Sequence, residues 1–196
     1  MLRQAPEWRI PMTNNSSTKV KIMTVAALLS ALGIVIPMFA PKIYIEPMSF
    51  TLASHVAIFI AMFISPLVAV SVALVTSLGF FIAGFPLIVV FRALTHLIFV
   101  TVGALLLKRN NNILLSFKTS VPFALLISLI HAAAEVIAVS LYYFGEGETI
   151  SPYFLFILVG VGTVVHSMID FSIAGFVWVP LQHVLMIPAN AKIRKQ

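Results

Sequence analysis

The chain contains no cysteine, which excludes disulfides, thiolate nucleophiles and thiolate metal ligands. Charge is scarce: only 9% of the 196 residues are charged and six are acidic, against about 25% charged in an ordinary soluble domain. No Walker-type glycine loop is present, so any energy from nucleotide hydrolysis must come from another chain. No Gly-x-Ser-x-Gly stretch marks a serine nucleophile, and no His-Glu-x-x-His marks a zinc protease. What the sequence has instead is apolar length. Hydrophobic residues make up 61% of it, with a mean hydropathy of +1.10. That composition indicates a polytopic membrane protein. The net charge of +6 is carried by basic residues at the ends and in one loop, a topology signal and not a nucleic-acid patch.

Taken in order, residues 1–20 are polar, and Asn14-Asn15-Ser16-Ser17-Thr18 has nothing with which to pack a core. They are expected to form a mobile cytoplasmic segment, followed by a single transmembrane domain over 21–187 and a basic tail over 188–196. A basic start before an apolar run also fits a signal peptide, but the run Ile22–Ala40 is long for one and lacks a small-residue cleavage site, so a retained first helix is expected. Helix two is expected from about Phe50 to Ile64 with His55 about a turn inside. Helix three should span Leu67–Ala83, helix four Leu87–Leu107, helix five Val121–Phe144 and helix six Pro152–Val179. Between helices one and two, Pro41–Pro47 reads as an extended, proline-bounded segment over the membrane surface. With the N-terminus inside, Arg3, Arg9, Lys19, Lys21, Lys108, Arg109, Lys118, Lys192, Arg194 and Lys195 fall inside and Lys42 alone falls in an outside loop. The expected fold class is therefore an all-α membrane protein of six transmembrane helices, N-in and C-in.

The remaining cation, Arg92, lies within a span, where it costs roughly 2.5–3.5 kcal/mol unless it has a partner or faces water. Helix four carries Arg92 and His96, helix five His131 and Glu135, helix six His166 and Asp170. Each pair is spaced i, i+4 and so shares a helix face. On helix five Ser128, His131, Glu135 and Tyr142 form one stripe, and on helix six Thr163, His166 and Asp170 do. Such residues either clamp helices together or line a site. Arg92 offers a planar fork that fits a carboxylate ligand. His96 adds a donor one turn on, and His55 approaches from helix two. Glu135 either holds Arg92 or neutralises it. His131 and Tyr44 complete the candidate ligand set, with Tyr44 on a loop that would close over the ligand. No metal or cofactor is expected, because Arg92 would repel a cation. On helix one, Ala27 and Ala31 share a face, and small residues at that spacing admit a second helix closely.

Lys21 with Ala27-Leu28-Leu29-Ser30-Ala31 resembles the Ala-x-x-x-Ala signature on the first helix of the S-components, the substrate-binding subunits of energy-coupling-factor (ECF) vitamin importers. The stretches Pro47–Val56, Phe63-Ile64-Ser65-Pro66 and Arg92-Ala93-Leu94-Thr95-His96 are similar to the niacin-type subgroup, and less to the pantothenate type. The resemblance covers about Val20 to Val184. It implies a six-helix bundle that captures a vitamin at the outer surface and catalyses nothing. It implies docking through Ala27 and Ala31 on a transmembrane coupling subunit that bears two cytoplasmic ATPases. Hydrolysis would then topple the S-component to release its ligand inside. A stand-alone carrier, proton-coupled through Glu135 and Asp170, is the alternative from the residues alone, and an intramembrane enzyme a further one.

Overall fold

A computed structural model describes residues 15–45 and 48–192, without the side chains of residues 15, 44, 45, 48 and 49. The elements are α1 (Asn15–Phe39), β1 (Lys42–Ile45), β2 (Met48–Thr51), α2 (Val56–Ile64), α3 (Pro66–Ile82), α4 (Leu87–Arg109), α5 (Phe117–Gly145) and α6 (Gly162–Leu185). A 3-10 turn, Ile113–Leu115, precedes α5, and a π-helical segment, Phe154–Val161, leads into α6. Four helices are long and apolar enough to cross a membrane: Ser16–Phe39, Leu87–Arg109, Phe117–Gly145 and Phe154–Leu185. The other two differ. α3 has 17 residues and α2 only nine.

The short α2 corrects the expected helix two. Residues 48–51 pair as β2 with β1, antiparallel, with Lys42 opposite Thr51 and Ile43 opposite Phe50. The extended segment expected after Pro41 is β1, but its partner β2 was missed because its apolar residues continue without a break into the helix. β-Branched Ile43, Ile45 and Thr51 favour the pleated strand, and Pro41 blocks continuation of α1. Ala53 then takes a left-handed backbone with φ of 63°, and His55 is the N-cap residue of α2, not a residue one turn inside it. Nine residues cover about 13.5 Å at 1.5 Å each, roughly half of a 30 Å hydrocarbon core. All nine are buried, because α2 is wrapped by α1, α3, α4 and α6. Gly103 permits the approach of α4, since a Cβ there would collide with the Met62 side chain.

The far end of α2 identifies one pole of the bundle. Its last carbonyls accept backbone hydrogen bonds from the tail, Asn190 to Ile64 at 3.0 Å and Ala191 to Phe63 at 2.9 Å, and Lys192 donates to Asn111 at 3.3 Å. The fully buried Trp178 also donates its Nε1–H to Ala191 at 3.2 Å. The basic α4–α5 connection and the tail therefore share a pole with the α2–α3 turn. Other boundaries also move. α1 begins at Asn15, inside the stretch expected to be mobile, and the expectations for residues 1–14 lie outside the described residues. Residues 188–192 are docked on the bundle instead of forming a free tail. α6 passes through Pro180 to Leu185, since a buried or lipid-facing helix tolerates proline where neighbours compensate the lost bond.

Candidate functional site

Because α2 fills one half of the bundle, its N-terminus lies in the interior, facing the hairpin half. Four amides at a helix N-terminus lack intrahelical partners. Asp170 of α6 supplies acceptors there: Oδ1 takes the Ala53 N–H at 2.9 Å and Oδ2 the His55 N–H at 2.9 Å. The carboxylate is fully buried, and the helix dipole favours its charge at this place. It thereby holds the left-handed Ala53 turn and aims the His55 ring. Oδ2 also lies 3.1 Å from His55 Nδ1. A carboxylate accepts, so Nδ1 carries the proton and Nε2 presents a lone pair.

Three further histidines converge on that ring. His55 packs edge-on against His96, His131 and His166, with centroids 4.8, 4.9 and 4.9 Å away. His55 Nε2 and His96 Nε2 are 3.2 Å apart. His131 Nδ1 is 2.8 Å from Ser167 Oγ, and His166 Nε2 is 3.0 Å from Ser54 Oγ. His55 was expected to be shallow on its helix. Instead it reaches all three because the hairpin carries the chain inward before α2 starts. Among the described residues, two groups have the spacing to hold a metal ion: His55, His96 and His131, and His55, His166 and Asp170.

Arg92 does not turn to His96, its neighbour on α4, but crosses to α5. Its Nε donates to Glu135 Oε1 at 3.1 Å and its Nη2 to Oε2 at 3.2 Å. Thr163 Oγ1 donates to Oε2 at 2.6 Å. The bidentate fork satisfies the buried acid, and the charge expected to repel a cation is met by a carboxylate.

Above these groups is a cavity of about 190 Å³. Arg92, His96, His55 and Glu135, four of the residues expected to bind a ligand, line it. His131 lies behind them, fully buried against Phe99 at a 4.5 Å ring separation. Tyr44 is on β1, but its side chain lies outside the described residues. Sequence reasoning missed several contributors to the wall, among them Lys42, Phe80, Phe85 and His166. Lys42 lines the cavity and sits over the Phe85 ring, 5.8 Å from its centroid. Its signal was present, since it is the lone basic residue of the outside loops, but it was read only as topology. Phe80 and Phe85 stack at 4.5 Å with a 22° interplanar angle, across the Gly84 turn, which helical periodicity cannot reveal. His166, seen on its helix face but left out of the candidate ligands, lines the cavity too. Ala27 and Ala31 are far from this site, exposed on the outer face of α1, while Val25, Leu29 and Gly33 form its buried face.

No family model matches the chain, and no solved structure does. It is 41% identical over 167 residues to the niacin transporter NiaX of Lactococcus lactis subsp. cremoris (strain MG1363), a match that covers 83% of this chain and 75% of that protein. With its apolar helices, that likeness makes it a multi-pass protein of the cell membrane. Identity of this extent shows that the chain belongs to the family of the niacin transporter NiaX, the niacin-type S-components.

Proposed function

We propose that this chain is the substrate-capture subunit of an ATP-driven ECF importer, and that it binds niacin as nicotinate in the cavity under the hairpin. The observation that carries this reading is Arg92, held by Glu135 through Nε and Nη2 at the wall of a cavity of about 190 Å³. The fork is already oriented, so a ligand carboxylate meets the remaining Nη1 edge without an ordering cost. Lys42 at the mouth adds a second cation, and the Phe80–Phe85 stack and Pro86 offer flat apolar surface for a ring. Ligand pockets for drug-sized molecules run roughly 300–1,000 Å³, so this smaller volume favours a single-ring acid over an extended one such as pantothenate. His96 and His55 form part of the wall beside the ligand, His131 backs them, and Tyr44 belongs to the strand that covers the opening.

In this reading six chain segments cross the bilayer, N-in and C-in, with the hairpin and α2 together making the second crossing. Residues 21–187 act as one transmembrane domain, and lipid surrounds it. Ala27 and Ala31 dock on the coupling subunit, two ATPases drive release, and the chain itself catalyses nothing. A proton-coupled carrier is disfavoured because Glu135 and Asp170 each have both oxygens engaged by fixed donors.

The test is binding of acid and amide to the purified chain. Nicotinate should bind more tightly than nicotinamide. Arg92→Lys keeps the charge but loses the fork, and should weaken nicotinate while retaining some preference for the acid. Arg92→Met leaves Glu135 buried and unpaired, so its loss should be larger, on the order of 2–5 kcal/mol, with the acid preference reduced. Equal binding of acid and amide to the native chain would show that the arginine only clamps α4 to α5. Nicotinate uptake that survives loss of the ATPases but collapses with an uncoupler would replace the importer by a carrier.

A further inference from the structure

The histidines do more than a carboxylate pocket requires. We propose that His55, His96 and His131 form a binding site for a divalent transition metal of the zinc class, bound by three imidazoles with a fourth position open. The three rings come from different elements, the α2 N-cap, α4 and α5, and each offers one nitrogen within 4.8 Å of the others. The His55 and His96 Nε2 atoms are 3.2 Å apart. Two nitrogens bound about 2.0–2.1 Å from a tetrahedral zinc are separated by roughly 3.3–3.4 Å, so these two rings already have the spacing of co-ligands.

The surroundings of the rings match what metal-binding histidines require. Such a histidine gives its other ring N–H to a carboxylate or another fixed acceptor, which sets the tautomer and the ring orientation. His55 has Asp170 at 3.1 Å from Nδ1, itself anchored by two backbone amides. His131 has Ser167 Oγ at 2.8 Å from Nδ1. For His55, Nε2 is the nitrogen directed at His96. His131 is fully buried, and its Nε2 lies 3.5 Å from Glu135 Oε1, an ion-pair distance but a long one for a hydrogen bond. A nitrogen held only at that distance is free to take a closer partner, and a metal would supply one. His96 has no orienting partner, since its Nδ1 is unbonded.

Two objections are met by the geometry. Arg92 does not leave a bare positive charge beside the site, because Glu135 takes it bidentately. The competing group of His55, His166 and Asp170 needs an oxygen of Asp170, but those oxygens are committed to the Ala53 and His55 amides. Asp170 is therefore a positioning residue for His55, not a ligand. Imidazole donors without thiolates suit zinc, cobalt, nickel or copper over magnesium or calcium.

The site is tested without nicotinate, on the full chain purified in detergent with a tag free of histidine and stripped with chelator. Cobalt(II) is titrated and followed by its visible d–d absorption, and zinc is added to compete. The expected result is saturable binding of one cobalt per chain with the intense absorption of a tetrahedral site, lost on addition of zinc. His96→Gln and His131→Gln should abolish that absorption. Asp170→Asn should lower cobalt affinity by roughly 10–100-fold, as loss of an orienting partner does, and if it does not fold the two ligand variants decide. His183→Gln, at the far end of α6, should change nothing, and Arg92→Lys should weaken nicotinate while sparing cobalt. This makes the metal result independent of the niacin result. Absence of saturable cobalt binding, or binding unaffected by His96→Gln and His131→Gln, would overturn the site.

Discussion

Asp170 and Ala53 are the residues on which the interior of the site depends. A left-handed backbone costs a non-glycine residue roughly 1–2 kcal/mol, and Ala53 adopts it with φ of 63° because Asp170 ties down the amides on both sides of Ser54. Asp170→Asn keeps one acceptor oxygen but turns an NH2 group towards an amide donor. The expected loss is about 1–3 kcal/mol of stability, the cost of an unsatisfied buried donor, read as a lower midpoint of thermal unfolding in detergent. Ala53→Gly should do the opposite of most glycine substitutions. It relieves the left-handed strain while adding roughly 0.5–1 kcal/mol of chain entropy, so stability should stay level or rise. A clear fall in the same unfolding measurement would mean that the turn is not strained.

At the scale of elements, α1 presents two faces with different chemistry. Val25, Leu29 and Gly33 are buried, and Gly33 allows α3 to close in, since a Cβ there would lie 2.7 Å from Thr76 Oγ1. Ala27 and Ala31 are on the exposed side, outside the intramolecular contact. Without a hydrophobic drive between helices in lipid, a flat small-residue face gains affinity for another helix by close packing. Ala27→Trp or Ala31→Trp should therefore leave nicotinate binding to the purified chain within about twofold, since exposed substitutions away from a site change little, yet abolish uptake in cells. If binding falls in parallel with uptake, α1 serves the bundle itself and not a partner.

For the molecule as a whole, the strand pair over the cavity and the polarity of the bundle can each be probed. Lys42 lines the cavity and is a tryptic site between α1 and the remaining helices. Saturating nicotinate should slow cleavage there relative to the basic α4–α5 connection. Equal rates with and without ligand would remove the hairpin from any closing role. The absence of native cysteine makes the orientation equally direct to measure. A single cysteine at Glu148 should react with a membrane-impermeant thiol reagent on intact cells, and one at Asn111 should react only after the membrane is opened. The reverse pattern would invert the proposed topology.

The amino-acid sequence alone determined the membrane class, the positions of the long helices and the shared faces of Arg92–His96, His131–Glu135 and His166–Asp170. Those properties are local, set by apolar length and by 3.6-residue periodicity. It also offered Glu135 as the residue that holds or neutralises Arg92, because an arginine in lipid needs a partner. Spacing of i, i+4 says which way two side chains point, but not what stands opposite. Only the tertiary structure set both Glu135 oxygens against the Arg92 fork, committed Asp170 to the amides of Ala53 and His55, and gathered three histidines around the His55 ring. The half-length of α2 was hidden for the same reason. Residues 48–64 are continuously apolar apart from a few small polar residues and His55, so strand and helix read alike until long-range pairing with residues 42–45 decides between them.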